Sequence, residues 1–137
     1  MKHRLFLDSD VILDLLLKRE PFFKNSQKIF DLAEKKKINI YTSALAFSNI
    51  YYILSRIGSR EKAFNSILKL RALINLLDLT ESVIDNAIAL NFKDFEDAIQ
   101  YHIACLKKLD YFVTRNIKDY PSGNITVITP VEYAALL

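Results

Sequence analysis

Hydrophobic residues recur along this chain in two rhythms. Short runs, His3–Leu7, Ile38–Tyr41, Ile74–Leu79, Tyr111–Thr114 and Ile125–Ile128, are largely apolar at consecutive positions. Such runs predict strands buried on both faces. Between them the apolar positions fall at helical spacing, as at Phe22, Ile29, Leu32 and Ala33 within Phe22–Lys37. The same rhythm predicts helices over Ala44–Ile57, from Ser59 through Leu73, from Thr80 to about Asn91, from Asp94 to Lys108, and over Pro130–Leu136. Val11–Leu17 reads as an apolar helical turn or two. Boundary chemistry agrees: Thr42-Ser43, Ser59, Thr80 and Asp94 offer N-caps, Gly58 a stop, and Pro130 a first-turn proline.

Five short strands alternating with helices predict a mainly parallel sheet covered on both faces, with right-handed crossovers. Ligands in such sheets bind beyond the carboxyl ends of the strands, near the point where strand order reverses. Asp8 follows the first strand and Thr114-Arg115-Asn116 ends the fourth, so groups far apart in sequence can meet in one pocket.

Composition narrows the setting. At 137 residues, half of them hydrophobic, the chain suits a single domain over 1–137 with a full core. Two Gly and three Pro leave little room for linkers or disordered tails. A net charge of +3 permits a phosphate-rich partner without demanding one. The single cysteine, Cys105, excludes an intrachain disulfide and a cysteine zinc site. No run has the length of a signal peptide or a membrane span, which predicts a cytoplasmic protein.

The chemistry lies in the acids. The first strand ends in Leu7-Asp8-Ser9-Asp10, although Asp is a poor strand former and costly to bury. A second cluster is Asp94-Phe95-Glu96-Asp97-Ala98, a third Thr114-Arg115-Asn116-Ile117-Lys118-Asp119-Tyr120. Each alone has a plain structural explanation: Asp8 and Asp94 as helix caps, Asp97 on a positive helix end, Asn116 and Asp119 as turn formers. Gathered at one sheet end, the carboxylates would repel one another unless a cation were present. An oxygen-only donor set points to a hard divalent ion, Mg²⁺ or Mn²⁺, suited to phosphoryl or phosphodiester chemistry.

In the order and spacing of these three clusters the whole chain resembles PIN-domain proteins, in particular the ribonuclease toxins of VapBC-type toxin–antitoxin pairs. The resemblance implies a three-layer α/β/α sandwich and metal-dependent endonucleolytic cleavage of RNA, leaving 5′-phosphate and 3′-hydroxyl ends. Asp8 matches the first metal-binding Asp of the family, Asp97 its central acid, Asp94 the nearby helix-start acid and Asp119 the late acid. Thr114 matches a hydroxyl residue that orients a ligand or water. Asn116 stands where many members carry Asp, and Asn49 where the family usually has Glu. Asp10 occupies a position usually held by Asn, and Asp14 is a supporting family feature. The implied metal set is Asp8, Asp97 and Asp119 with Asp94, completed by Asn49 and Asn116 and supported by Asp10 and Thr114. An amide offers a metal its carbonyl oxygen but neither charge nor a base.

Arg56, Arg60 and Arg115 are candidates for flanking phosphates, or else solvated surface charges. Tyr51-Tyr52 and Phe22-Phe23 suit base stacking, or core and interface packing. Spare apolar helix surface suits a homodimer or a bound antitoxin segment. His102, five residues after Asp97, falls on a different helix face and reads as structural. Two other functions compete. A non-catalytic PIN-like module binding RNA or protein is motivated by the amides at Asn49 and Asn116. A haloacid-dehalogenase-like phosphatase is motivated by Asp8-Ser9-Asp10, although that family needs a late acidic motif and usually a cap insertion. A flavodoxin-like nucleotide site is disfavoured, because no Gly-rich phosphate loop follows any strand.

Overall fold

A computed structural model describes residues 2–137. Five strands, β1 (Arg4–Leu7), β2 (Asn39–Ser43), β3 (Ile74–Leu77), β4 (Tyr111–Val113) and β5 (Thr126–Ile128), form one sheet in the order β3-β2-β1-β4-β5, with every pairing parallel. Seven helices join them: α1 (Ser9–Leu16), α2 (Phe23–Glu34), α3 (Ala44–Ile57), α4 (Arg60–Leu73), α5 (Glu81–Leu90), α6 (Phe95–Leu106) and α7 (Pro130–Ala135).

Side-chain alternation along β1 builds two separate cores. Leu5 and Leu7 pack with residues of α1, α2, α3, α4 and α7, whereas Phe6 faces α5 and α6. The result is the three-layer sandwich, sheet in the middle, that the alternating pattern required. The chain moves outward from β1 through β2 to β3, then returns to β4 on the other side of β1. That reversal lies between β1 and β4, where Leu7 stands opposite Val113. Asp8 and Thr114, the next residue of each segment, therefore leave the sheet side by side.

The expected elements are all present, and the differences lie at their ends. β2 continues through Thr42 and Ser43, because Thr42 is fully buried and its hydroxyl donates to the Leu7 carbonyl, while Ser43 still caps α3. β3 stops at Leu77 rather than Leu79, and β4 at Val113 rather than Thr114. One 3₁₀ turn, Ile117–Asp119, lies in the segment that reads as a simple turn in the sequence.

Candidate active site

Asp8 caps α1: its Oδ1 accepts a hydrogen bond from the Ser9 amide at 2.8 Å. The Thr114 hydroxyl donates to Oδ2 at 2.8 Å, and the Tyr120 hydroxyl stands 3.5 Å from the same oxygen. One carboxylate oxygen is thus approached by two side-chain donors, while the other keeps a free lone pair beside a single amide. Only 8% of Asp8 is exposed. Burial raises its pKa from 3.8 to about 6; the Thr114 hydrogen bond works against that rise, and the charges of Asp97 and Asp10 add to it.

Asp97 projects from the first turn of α6, half-buried. Burial lifts its pKa, the neighbouring Asp94 lifts it further, a hydrogen bond from Tyr120 lowers it, and Asp119 and Glu96 raise it. Asp94 performs the capping that sequence chemistry allows, its Oδ1 accepting from the Asp97 amide at 3.0 Å. It also lines an open cavity of about 500 Å³ with Asp97, Asp119, Phe92, Lys93 and Lys118. Asp8, Asp97 and Asp119 therefore share one electrostatic neighbourhood at the carboxyl end of the sheet, with the Tyr120 phenol among them.

Tyr120 received no role from sequence reasoning. Its ring is seated on Phe112, with centroids 4.6 Å apart, and beside Tyr101 and Phe92. Burial and the three surrounding acids push its pKa up, so the phenol stays a proton donor to carboxylates. Glu96 also went without a role, although it belongs to the second acid cluster. Asn49 donates its side-chain amide to Glu96 Oε1 at 3.2 Å. This pair lines a neighbouring cavity, with Ser9, Tyr52, Ile53 and Arg56, rather than the one holding Asp97 and Asp119.

Several expected site residues sit elsewhere. The four ion pairs among the described residues all join Asp10 or Asp14 to Arg19 or Arg115, so the charge of Asp10, which still acts on Asp8, is turned towards arginines. Arg115 is committed to Asp14 and stacks over Phe22, and Arg60, the first residue of α4, lines neither cavity. The cations that line the acid cavity are Lys93 and Lys118, which sequence reasoning did not single out. Asn116 is exposed; its backbone amide, rather than its side chain, is engaged, donating to the Thr114 hydroxyl at 3.1 Å.

The donor set suits a hard divalent cation. Asp8, Asp97 and Asp119 are oxygen donors, mutually repelling, and none has a basic partner among the described ion pairs. Among the described residues, however, no three His, Cys, Asp or Glu side chains already converge at metal-ligand distances. Likewise, no helix among these residues is long and apolar enough to cross a membrane.

The chain is 29% identical over 135 residues to ribonuclease VapC1 of Aquifex aeolicus (strain VF5), covering 95% of this chain and 92% of that protein. The fold matches VapBC2 from Rickettsia felis, crystallised bound to a DNA fragment from their promoter, with a TM-score of 0.67 at 16% identity over 92% of this chain and 98% of that one. It also matches VapC20 of Mycobacterium tuberculosis, a sarcin-ricin loop cleaving toxin, with a TM-score of 0.64 at 14% identity over 79% of this chain and 86% of that one. A family model described as PIN domain matches residues 4–118. Since that model spans most of the chain, and the parallel five-stranded sheet fits it, this chain belongs to the PIN-domain family.

Proposed function

We infer that this protein is a metal-dependent endoribonuclease, acting in the cytoplasm as the toxin of a toxin–antitoxin pair. The observation that carries the reading is Asp8: a desolvated carboxylate, facing Asp97 and without a basic partner among the described residues, at the point of the sheet where ligands gather. Membership of the PIN-domain family and the likeness to ribonuclease VapC1 support the chemistry. An antitoxin partner is supported by structural neighbours described as toxin–antitoxin assemblies, and a homodimer by exposed apolar side chains on α3 and α4 such as Ile57, Phe64 and Leu68.

Asp8, through its free Oδ1 lone pair, would hold the ion together with Asp97 and Asp119, with Asp94 at the margin and Asn116 within the same turn. Bound Mg²⁺ or Mn²⁺ supplies an acidified water and offsets charge growing on the phosphate oxygens. The chain does the rest. Thr114 and Tyr120 fix the Asp8 carboxylate, and Tyr120 keeps its proton as a donor between Asp8 and Asp97. Lys93 and Lys118 meet the RNA phosphates at the mouth of the cavity. Asn49 lines the adjoining cavity, its Nδ2 donating to Glu96 and its carbonyl oxygen left as the atom it would offer the shell.

The test is cleavage of a mixed RNA pool by wild type and Asp8→Ala, with EDTA, Mg²⁺ or Mn²⁺. Cleavage that needs the metal and is lost in the variant supports the reading; equal cleavage by both proteins rejects it. A second reading, a module that binds RNA or protein without cutting, is favoured by one observation: the acids do not yet converge at metal-ligand distances. RNA binding with no Mn²⁺ uptake would select it. Family membership and the pairing of Asp10 with Arg19 and Arg115 leave no basis for the phosphatase alternative.

A further inference from the structure

We propose that Arg115 and Asp14 are positioning residues of the acid site: their ion pair fixes the turn after β4 and thereby aims the Thr114 hydroxyl at the Asp8 carboxylate. The kinetic consequence rests on the nuclease reading above; the geometric one does not.

Asp14 lies on α1 with no exposed surface. Each of its oxygens meets a different arginine, Oδ1 the Nε of Arg19 at 3.0 Å and Oδ2 the Nε of Arg115 at 2.9 Å. Arg115 also extends Nη2 to within 3.7 Å of Asp10 and sets its guanidinium carbon 4.0 Å from the centroid of the Phe22 ring. One guanidinium thus sets two nitrogens beside two carboxylates and its carbon over an aromatic ring. A lysine ammonium offers only a point charge.

The residues on either side of Arg115 are those that set Asp8. The Thr114 hydroxyl oxygen accepts from the Asn116 amide at 3.1 Å and donates to Asp8 Oδ2 at 2.8 Å. With one lone pair held by that amide, the hydroxyl proton is turned towards the carboxylate. Pinning the side chain between Thr114 and Asn116 to α1 therefore locks the backbone that orients this relay. A buried ion pair is seldom the most stabilising filling for its space, since apolar residues of similar volume often do as well or better. What it supplies here is register, joining the helix that Asp8 caps to the turn that carries Thr114, Asn116 and Asp119.

The experiment compares wild type with Arg115→Lys, measuring melting temperature, Mn²⁺ affinity by calorimetry, amide exchange by NMR, and kcat and KM on RNA. In R115K the Ser9 and Asn116 amides are expected to exchange at least tenfold faster. Mn²⁺ affinity and kcat fall about tenfold, as when a group supporting a metal ligand is lost, with KM within twofold. Thr114→Val combined with R115K loses no more Mn²⁺ affinity than T114V alone, because both act through one hydroxyl. Should R115K fail to fold, Asp14→Leu with Arg115→Met removes both charges together and is expected to show the same fast exchange and weak Mn²⁺ binding. Unchanged exchange with a raised KM would make Arg115 a phosphate ligand, and unchanged exchange with only a lower melting temperature would make it purely structural; either overturns the proposal. If wild type binds no Mn²⁺, the nuclease reading fails, and exchange at Ser9 and Asn116 alone decides the clamp.

Discussion

Replacing Asp8 by Asn should stabilise the metal-free protein while abolishing its metal binding. The folded state raises the Asp8 pKa from 3.8 to about 6, so at pH 8 the ionised carboxylate disfavours folding. That rise corresponds to at most about 3 kcal/mol at 1.36 kcal/mol per pKa unit. Asn is nearly isosteric and keeps an acceptor for the Ser9 amide. It turns an NH₂ towards Thr114 and Tyr120, however, and the charge-assisted hydrogen bonds weaken by about 1–2 kcal/mol. The net gain is about 1–2 kcal/mol, or about 3–6 °C in melting temperature for a domain of this size.

The pH dependence carries a sign that identifies Asp8. As pH falls through about 6 towards 3.8, the folded wild type takes up a proton before the unfolded chain does, and its stability rises. Linkage returns about 1.4 kcal/mol of the penalty by pH 5, so the advantage of Asp8→Asn should almost vanish there. Thermal melts of both proteins in EDTA at pH 8 and pH 5 measure the difference, in which the other carboxylates largely cancel. Saturating Mn²⁺ at pH 8 should reverse the order, adding about 2.7 kcal/mol to wild type at a hundredfold excess over Kd and nothing to the variant. An Asp8→Asn protein that melts below wild type at pH 8 in EDTA would refute the reasoning, because the carboxylate would then be a stabilising cap rather than a strained ligand.

Thr114→Val removes a donor that lowers the Asp8 pKa, so the acid limb of the kcat/KM–pH profile should move upward, with activity about 10–100-fold lower at pH 7. Lys118→Ala should raise KM for RNA with kcat retained, and the slope of log affinity against log salt should shrink by about one, as measured by fluorescence anisotropy. Asn49→Glu replaces a hydrogen bond to Glu96 with like charges; calorimetry should find the apoprotein about 0.5–1 kcal/mol less stable and Mn²⁺ bound more tightly.

What the sequence reveals depends on how local the physics is. Capping is decided within four residues, so Ser43, Ser59, Thr80 and Asp94 announce their helices correctly. The placement of Asp8 beside Thr114 follows from strand alternation together with the rule that ligands gather where strand order reverses. Which charge meets which is another matter, because it depends on side-chain reach across layers. Asp10 and Asp14 stand two and six positions beyond the end-capping Asp8, on α1; Asp10 is partly exposed and Asp14 fully buried, yet both turn to arginines delivered by other segments. Arg115, with a basic side chain beside a hydroxyl and an amide, has the sequence context of a phosphate ligand. Only the packing of α1 against the turn after β4 shows that its guanidinium points inward. Tyr120 is similarly hidden, since an aromatic after a turn reads as core and most of its ring is core, tilted against Phe112 and stacked on Tyr101. Its hydroxyl alone reaches the acids. The site therefore combines two kinds of residue. Asp8, Asp97 and Asp119 present charge and stand out in sequence as carboxylates clustered after strands and at a helix start. Arg115, Asp14 and Tyr120 hold those charges in place and read as ordinary structure, so their contribution has to be measured at the carboxylates they orient rather than at their own positions.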